Sequence, residues 1–307
     1  MNSITYSFII PHKNNPELLL RCVNSIPRRN DIQIIVVDDD SKTDIVDWDS
    51  FDWGDKTCIE LYQTKGCKSA GAVRNEGLKH AKGKWLLFAD SDDFFTDGFI
   101  NVLDLYKDTN LDALYYNILC VDGVTFESAD VYASTQKMVR EYENNPTSWE
   151  HLRYVKPPWT KMVAKRFIDD YHIQFEDVIL GNDVWFSYQV GYWAKNIKVI
   201  NKDIYVYTIN SNSITFNRTV AKDVVQIETY VKQNAFFDYI GHPEWHINLP
   251  GWIKYHWLKS NHKFKYTCAL LANTWRIYKV RNKYVEGIRQ SEIAVQSPTG
   301  VQESSKC

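Results

Sequence analysis

The sequence lacks the patterns that mark secreted, disulfide-bonded and membrane-spanning proteins. Its six cysteines form no C-x-x-C pair and follow no regular spacing, which favours reduced thiols over a disulfide framework or a zinc site. Residues 1–4 lack the basic and apolar regions of a signal peptide. No apolar run approaches the ~20 residues that span a bilayer. These absences predict a soluble, cytoplasmic protein.

Acidic residues are absent from residues 245–285, whereas eight lysines and arginines occur there among many aromatic residues. On a helix from about residue 267, Leu271, Trp275 and Tyr278 would share one face beside a basic one. This composition is typical of elements that lie at a membrane surface. We therefore expect residues 245–285 to dock on the inner face of the cell membrane. The alternative is a solvated basic helix whose aromatic residues pack on the core, and the acidic N-terminal part disfavours nucleic acid as a partner.

The first 125 residues alternate strand and helix patterns. Apolar, β-branched runs at residues 5–10, 32–37 and 85–89 predict buried strands, and residues 16–26 and 69–81 have helical periodicity. Such alternation predicts an α/β fold with a mostly parallel central sheet and helices on both faces. Ligands of these folds bind beyond the carboxyl ends of the strands.

Two of the predicted strands end in acidic clusters, Asp38-Asp39-Asp40 and Asp90-Ser91-Asp92-Asp93. Carboxylates gathered at one sheet edge repel each other unless a cation or a hydrogen-bonding ligand neutralises them. Oxygen-rich sites of this kind suit Mg²⁺ or Mn²⁺, which bind through a few carboxylates and substrate phosphates. The alternative is that these residues only cap the helices that follow. Two clusters on neighbouring strands favour the metal site.

Four sequence blocks follow one another in the first 100 residues: FIIPHKN (8–14), VVDDDS (36–41), GAVRNEGLKHAKG (71–83) and LLFADSDD (86–93). In order and spacing they resemble the inverting family 2 glycosyltransferases, which have the GT-A fold. Weaker resemblance continues through PWTKMVAKRF (158–167), GNDVWFS (181–187) and YVYTINSNSIT (205–215), and it ends near residue 220.

The resemblance implies roles for the residues of the first three blocks. Pro11 and Asn14 would form the turn after the first strand, beside the nucleotide. Asp39, with Asp38 next to it, would hydrogen-bond the nucleobase. Arg74 would lie near the diphosphate; its alternative role is a salt bridge on the helix surface.

The remaining blocks supply the metal site and the base. Asp90, Ser91 and Asp92 match the Asp-x-Asp motif that binds metal and ribose, and Asp93 extends the metal site. Asp183 matches the position of the catalytic base. Its alternative role is the N-cap or a first-turn acid of the helix that follows, where the helix dipole favours it.

Two residues of this chain depart from the family pattern, and two more are candidates by their chemistry. Asp40 replaces the usual glycine after the paired aspartates, and Asn182 replaces the usual glutamate before the base. Lys161 could reach a phosphate, and Trp159 could lie against a sugar ring or in the core.

These observations predict an enzyme that moves a sugar from a nucleotide-diphosphate donor, with UDP expected as carrier, to a hydroxyl of a glycan or lipid-linked saccharide in surface polysaccharide synthesis. Mn²⁺ or Mg²⁺ would be required. The alternatives are a sugar-nucleotide nucleotidyltransferase and a non-catalytic scaffold that binds sugar nucleotides. We expect a glycosyltransferase domain at residues 1–218, with a nucleotide-sugar half (1–125) and an acceptor half (126–218). A helical extension (219–290) and a disordered tail (291–307) would follow.

Overall fold

A computed structural model of the chain describes residues 3–67, 69–145, 149–210 and 219–296. They divide into two compact units, Met1–Ser213 and Ile214–Cys307. The domain boundary predicted at residue 218 falls among residues outside the described ranges.

The first unit contains one eight-stranded sheet. Its strands are β1 (Tyr6–His12), β2 (Ile32–Asp39), β3 (Ile59–Thr64), β4 (Trp85–Phe88), β5 (Phe94–Phe95), β6 (Ala113–Asp122), β7 (Lys161–Ala164) and β8 (Ile197–Ile209). Its helices are α1 (Pro16–Asn24), α2 (Ala70–His80), α3 (Phe99–Asp104), α4 (Ala133–Asn144), α5 (Trp149–Leu152), α6 (Lys165–Asp170) and α7 (Val184–Trp193).

The strand order is β3-β2-β1-β4-β7-β6-β8-β5. The first four of these strands are parallel, as expected, whereas β7 is antiparallel to both its neighbours and β5 is antiparallel to β8. The predicted α/β fold is therefore confirmed, with a mixed second part. The sheet runs through both halves that the sequence predicts, so these are parts of one compact unit.

The apolar runs form strands because both faces of the sheet are covered. In β2 the seven residues from Ile32 to Asp38 are all buried, and in β4 all four are. Strands covered on both sides are near-continuous in apolar residues rather than alternating. Much of the aromatic content fills this core; for example, Phe175 stacks on Phe186 with ring centroids 4.0 Å apart.

The second unit is helical, with α8 (Val220–Tyr239), α9 (Leu249–Lys259) and α10 (Lys263–Gln296). Helix α10 continues through residues 291–296, where the sequence predicts a disordered tail; Glu292, Ala294 and Gln296 are good helix formers. The rest of that tail lies outside the described residues. None of the described helices has the length and hydropathy needed to cross a membrane.

Candidate active site

The carboxyl ends of β1, β2 and β4 lie at one edge of the sheet, because the three strands are parallel and in register. Ile9 pairs with Phe88 of β4, and His12 pairs with Asp38 of β2. The two acidic clusters therefore follow strands that are separated only by β1, about 10 Å apart at two inter-strand spacings. The structure thus brings the clusters to the same sheet edge, as the sequence predicts.

A buried hydrogen-bond network fixes Asp38 at this edge. The Asn15 N–H donates to His12 Nε2 (3.1 Å), so His12 carries its proton on Nδ1 and donates it to Asp38 Oδ1 at 2.8 Å. The Ser41 hydroxyl and N–H also donate to this carboxylate, at 2.5 and 3.1 Å. Burial disfavours the charged form, but these hydrogen bonds outweigh it and lower the pKa of Asp38. Asp38 is thus a charged residue that holds the loop in place.

Asp39 lies next to it with its carboxylate turned toward the loop after β3. Its Oδ1 accepts from the Cys67 N–H (2.6 Å) and the Thr64 hydroxyl (3.1 Å), and its Oδ2 pairs with Lys13 at 3.1 Å. The loop after β2 is thereby connected to the loop after β3. The nucleobase contact expected of Asp39 remains a prediction.

Asn14 and Pro11 differ in their placement. Asn14 lies in the turn after β1, where its Oδ1 accepts from the Lys42 N–H at 2.8 Å. Pro11, in contrast, belongs to β1 itself and pairs with Val37, so its predicted place in the turn is corrected. Proline is tolerated there because its nitrogen points to the side of β1 on which β4 has already ended.

Asp40 adopts a left-handed backbone conformation, with φ of 55°. Glycine takes this conformation without steric cost, whereas residues with a Cβ atom do not. The backbone here thus has the geometry for which the family resemblance implies glycine.

We expect Asp40→Gly to raise the free energy of unfolding by up to about 1 kcal/mol and Asp40→Val to lower it by about 1–2 kcal/mol. Urea unfolding measures both. Asp44→Gly is the matched control; Asp44 is exposed and does not have positive φ, so glycine there is expected only to destabilise. If Asp40→Gly and Asp40→Val were equally stable, the backbone at residue 40 would not be strained by a side chain, and the interpretation would be wrong.

The loop after β4 is anchored by Asp93, which is completely buried. Its carboxylate accepts from the Tyr205 hydroxyl (2.8 Å) and the Thr208 N–H (2.7 Å), and the Tyr205 oxygen in turn accepts from the Asp90 N–H (2.9 Å). Burial, Asp92 and Asp90 raise the pKa of Asp93 well above its usual value. With both oxygens engaged by β8, Asp93 is placed for a structural role, which disfavours the predicted metal contact.

Asp92 is more open to solvent than Asp93. Its Oδ2 accepts from the Asn210 amide at 3.0 Å. Burial and the charge of Asp90 raise the pKa of its carboxyl, so a cation nearby would stabilise the charged form. Ser91 occupies the turn between the two carboxylates.

Arg74 joins this loop to the segment before α7. Its guanidinium donates to Asp90 Oδ1 and to Asn182 Oδ1, the latter at 3.0 Å, while only 7% of its side chain is exposed. It is thus a buried connector and not a helix-surface salt bridge. Gly71 permits the close approach of α2, since a Cβ there would lie 2.2 Å from the Glu176 carbonyl oxygen. Asn182 occupies the position at which the family usually has a glutamate, and its side-chain oxygen accepts the hydrogen bond from Arg74.

Asp183 occupies the N-cap position of α7, but its side chain makes no capping hydrogen bond. The alternative role of an N-cap therefore lacks the hydrogen bond from the side chain to a backbone N–H that defines such a cap. Burial raises the pKa of Asp183, against the opposing charge of Arg74. A partly exposed carboxylate with increased basicity is suited to accepting a proton.

The structure corrects the prediction for Lys161, which is completely buried. Its ammonium donates to the carbonyls of Val155 and Pro157, both at 2.9 Å, and to the Ser187 hydroxyl at 3.1 Å. Burial lowers its pKa to about 7. Lys161 joins α7 to the loop before β7, and the charge of Asp183 partly offsets the effect of burial on its pKa. Trp159 is also buried, stacked 5.1 Å from Tyr205, so it belongs to the core.

Sequence reasoning missed the residues that support the loop after β4. The Arg21 guanidinium and the Thr208 hydroxyl both donate to the Asp92 carbonyl, the latter at 2.5 Å. Tyr205 and Asn210 reach Asp93 and Asp92 from β8 and the residue after it. Arg21 gave no signal in the sequence beyond its place in an amphipathic helix. The polar residues at the end of YVYTIN (205–210) were a usable signal, because polar side chains at a strand end can pair with an acidic loop.

The strand order of the mixed eight-stranded sheet defines an α/β fold of the GT-A class. Residues 7–157 match the sequence model of Glycosyl transferase family 2. Residues 7–157 belong to this family of glycosyltransferases.

Two curated glycosyltransferases are similar to the chain in sequence, and one solved structure shares its fold. The chain is 25% identical to the uncharacterized glycosyltransferase EpsJ of Bacillus subtilis, over 76% of this chain and 70% of EpsJ. It is 26% identical to glycosyltransferase GlyG of Streptococcus pneumoniae, over 72% of this chain and 77% of GlyG. The structure of S. aureus TarS 1-349 with UDP-GlcNAc has a TM-score of 0.58 and 20% identity, covering 74% of this chain and 66% of that one. This likeness shows the shared fold.

Proposed function

We propose that this chain is a metal-dependent inverting glycosyltransferase that uses a UDP-sugar donor. The observation that carries the proposal is the buried Arg74, which donates to Asp90 of the Asp-x-Asp loop and to Asn182 beside Asp183. One side chain thus fixes the proposed donor-binding loop relative to the proposed base. The acceptor would be a hydroxyl of a glycan or lipid-linked saccharide in surface polysaccharide synthesis.

The donor would bind at the acidic sheet edge. Asp39 offers a carboxylate to the nucleobase, and the guanidinium of Arg74 supplies positive charge at Asp90 for the diphosphate. The choice of UDP is supported by the TarS structure, which was solved with UDP-GlcNAc.

Transfer requires that the acceptor hydroxyl lose its proton as it attacks the anomeric carbon. Asp183 would take this proton, and its increased basicity favours the transfer. A single displacement from the face opposite the leaving diphosphate inverts the anomeric configuration. Arg74 would fix the position of the diphosphate relative to Asp183, so that the base and the leaving group are correctly placed for transfer.

The residues at the edge fit a divalent cation held partly by the substrate. Within the described ranges, no three His, Cys, Asp or Glu side chains converge into a complete metal site. Mg²⁺ and Mn²⁺ commonly bind through one or two carboxylates plus phosphates, and Asp92 and Asp90 could supply these. When bound, the ion would stabilise negative charge on the departing diphosphate.

Calorimetric titration with UDP tests the donor and metal parts of the proposal. We expect binding in the presence of Mn²⁺, and a loss of about 100-fold in affinity without metal or in Asp92→Ala, because a charged metal ligand contributes several kcal/mol. Asp97→Ala is the matched control, as Asp97 is exposed five residues away. A UDP affinity that changes neither when metal is removed nor in Asp92→Ala would refute metal dependence at this site.

A nucleotidyltransferase is the main alternative enzyme. Such enzymes bind the triphosphate with a glycine-rich loop after the first strand, and residues 8–16 contain no glycine. A non-catalytic scaffold would not need the base, yet Asp183 is present. Both observations favour the transferase.

A further inference from the structure

Helix α10 exposes a row of large apolar side chains on one face. Phe264 is 84% exposed, Leu271 71%, Trp275 55% and Tyr278 66%. At 100° per residue their spacing places them within about 60° of arc, along roughly 21 Å of helix. We call these four residues the α10 stripe. Such a row on the solvent side is unusual, because large apolar residues of a helix normally face its core.

The opposite face of α10 already packs within the second unit. Tyr266 and Ile288 are buried there, and α10 makes extensive contact with α8. Arg276 and Arg281 pair with Glu228 and Asp238 of α8. The α10 stripe is therefore a second apolar surface and not the core face of the helix.

Lysines accompany the exposed aromatic residues. Lys279 Nζ lies 4.0 Å from the centroid of the Trp275 ring, and on α9 Lys259 Nζ lies 4.5 Å from that of Tyr255. Unlike the two arginines, Lys279 and Lys283 have no acidic partner in the part of the second unit that the structure describes. Residues 245–285 contain no acid at all. Glu286 lies at the same surface as Lys279 and Lys283, so the surface around the stripe carries a net excess of positive charge.

We propose that the α10 stripe docks in the plane of an anionic lipid bilayer. Aromatic rings beside lysines suit the boundary between headgroups and acyl chains, where the ring is buried and the ammonium reaches the phosphates. Interfaces between protein chains are instead depleted in lysine, which favours lipid over a second copy of this chain. The inference does not depend on transferase activity.

Flotation of the full chain with vesicles tests the proposal. We expect binding to phosphatidylcholine vesicles that contain about one third phosphatidylglycerol, and at least tenfold weaker binding to phosphatidylcholine alone. Lys279→Gln with Lys283→Gln should weaken binding to the anionic vesicles by about 30-fold, since each basic residue near such a surface contributes about fivefold. Leu271→Ser with Trp275→Ser should abolish it.

Matched controls separate the α10 stripe from general stickiness. Leu105→Ser is the control for the apolar substitutions, since Leu105 is 75% exposed on the first unit. The exposed Lys56 and Lys198 serve for the charge change as Lys56→Gln with Lys198→Gln. Neither control should alter binding.

Three outcomes would overturn the proposal. The first is that the chain does not bind vesicles, and the second is that the stripe substitutions leave vesicle binding unchanged. The third is that the chain does not bind vesicles but sediments as a dimer, which Trp275→Ser dissociates. The last would assign the surface to a second copy of the chain. Circular dichroism of each variant verifies folding, which we expect to be retained because the substituted side chains are exposed.

Discussion

Asp183→Asn is expected to lower kcat by roughly 10²- to 10⁴-fold, the range that a positioned general base contributes. The substitution keeps the shape of the side chain but removes its ability to accept a proton. The Asp183 side chain makes no capping hydrogen bond, so α7 should form as before. Steady-state transfer assays and UDP calorimetry measure the effect, with UDP affinity expected to stay within about twofold.

The pH dependence provides a second test of Asp183. Because burial raises its pKa, the acidic limb of the wild-type kcat profile is expected above the usual range of an aspartate, and it should vanish from the residual activity of the variant. A carboxyl whose pKa rises on folding reduces stability as the pH rises past its unfolded value. Asp183→Asn should therefore be as stable as wild type, or more so, at neutral pH.

Asp170→Asn is the matched control. Because Asp170 is exposed on α6, this substitution should leave kcat unchanged. Retained turnover in Asp183→Asn would remove Asp183 as the base. Loss of both turnover and UDP affinity would instead indicate that the donor site had been disturbed.

Arg74→Gln is expected to lower the free energy of unfolding by about 2–3 kcal/mol and to weaken UDP binding. Removing one partner of a fully buried ion pair costs about 3–5 kcal/mol. The lower value applies here because 31% of the Asp90 side chain remains exposed. Urea unfolding and calorimetry measure the two effects separately.

A double variant distinguishes the structural and the binding role of Arg74. If part of the stability loss comes from leaving Asp90 unpaired, adding Asp90→Asn should recover about half of it. UDP affinity should not recover, because the guanidinium near the diphosphate is still missing and Asp90, a proposed metal ligand, is now lost as well. Lys79→Gln on the same helix is the control; its pair with Glu76 is exposed, so a change below about 0.5 kcal/mol is expected. An Arg74→Gln variant as stable as this control would rule out the buried connector.

Patterns along the chain predict features that depend on local chemistry. The β-branched run of β2 identifies a strand covered on both faces, and parallel pairing then brings Asp38 and Asp90 to one edge. The departure from glycine at Asp40 indicates where the backbone is left-handed. Each of these inferences rests on side-chain period or backbone sterics, which act within a few residues.

Roles that depend on direction could not be predicted in this way. Asp92 and Asp93 are adjacent and chemically identical, yet only Asp93 turns inward to Tyr205 and Thr208 of β8. Lys161 looks like a phosphate ligand, but β7 points it into the core, where three acceptors match the three N–H bonds of its ammonium.

The amino-acid sequence alone was enough to identify the family, the α/β order of the first unit, the acidic sheet edge and the basic aromatic character of residues 245–285. Two further features became visible in the folded chain. Arg74 links the loop after β4 to the residue before Asp183, and Leu271, Trp275 and Tyr278 face solvent. The physical reason is that charge and period are properties of neighbouring residues, whereas burial and partners depend on which distant segments pack together.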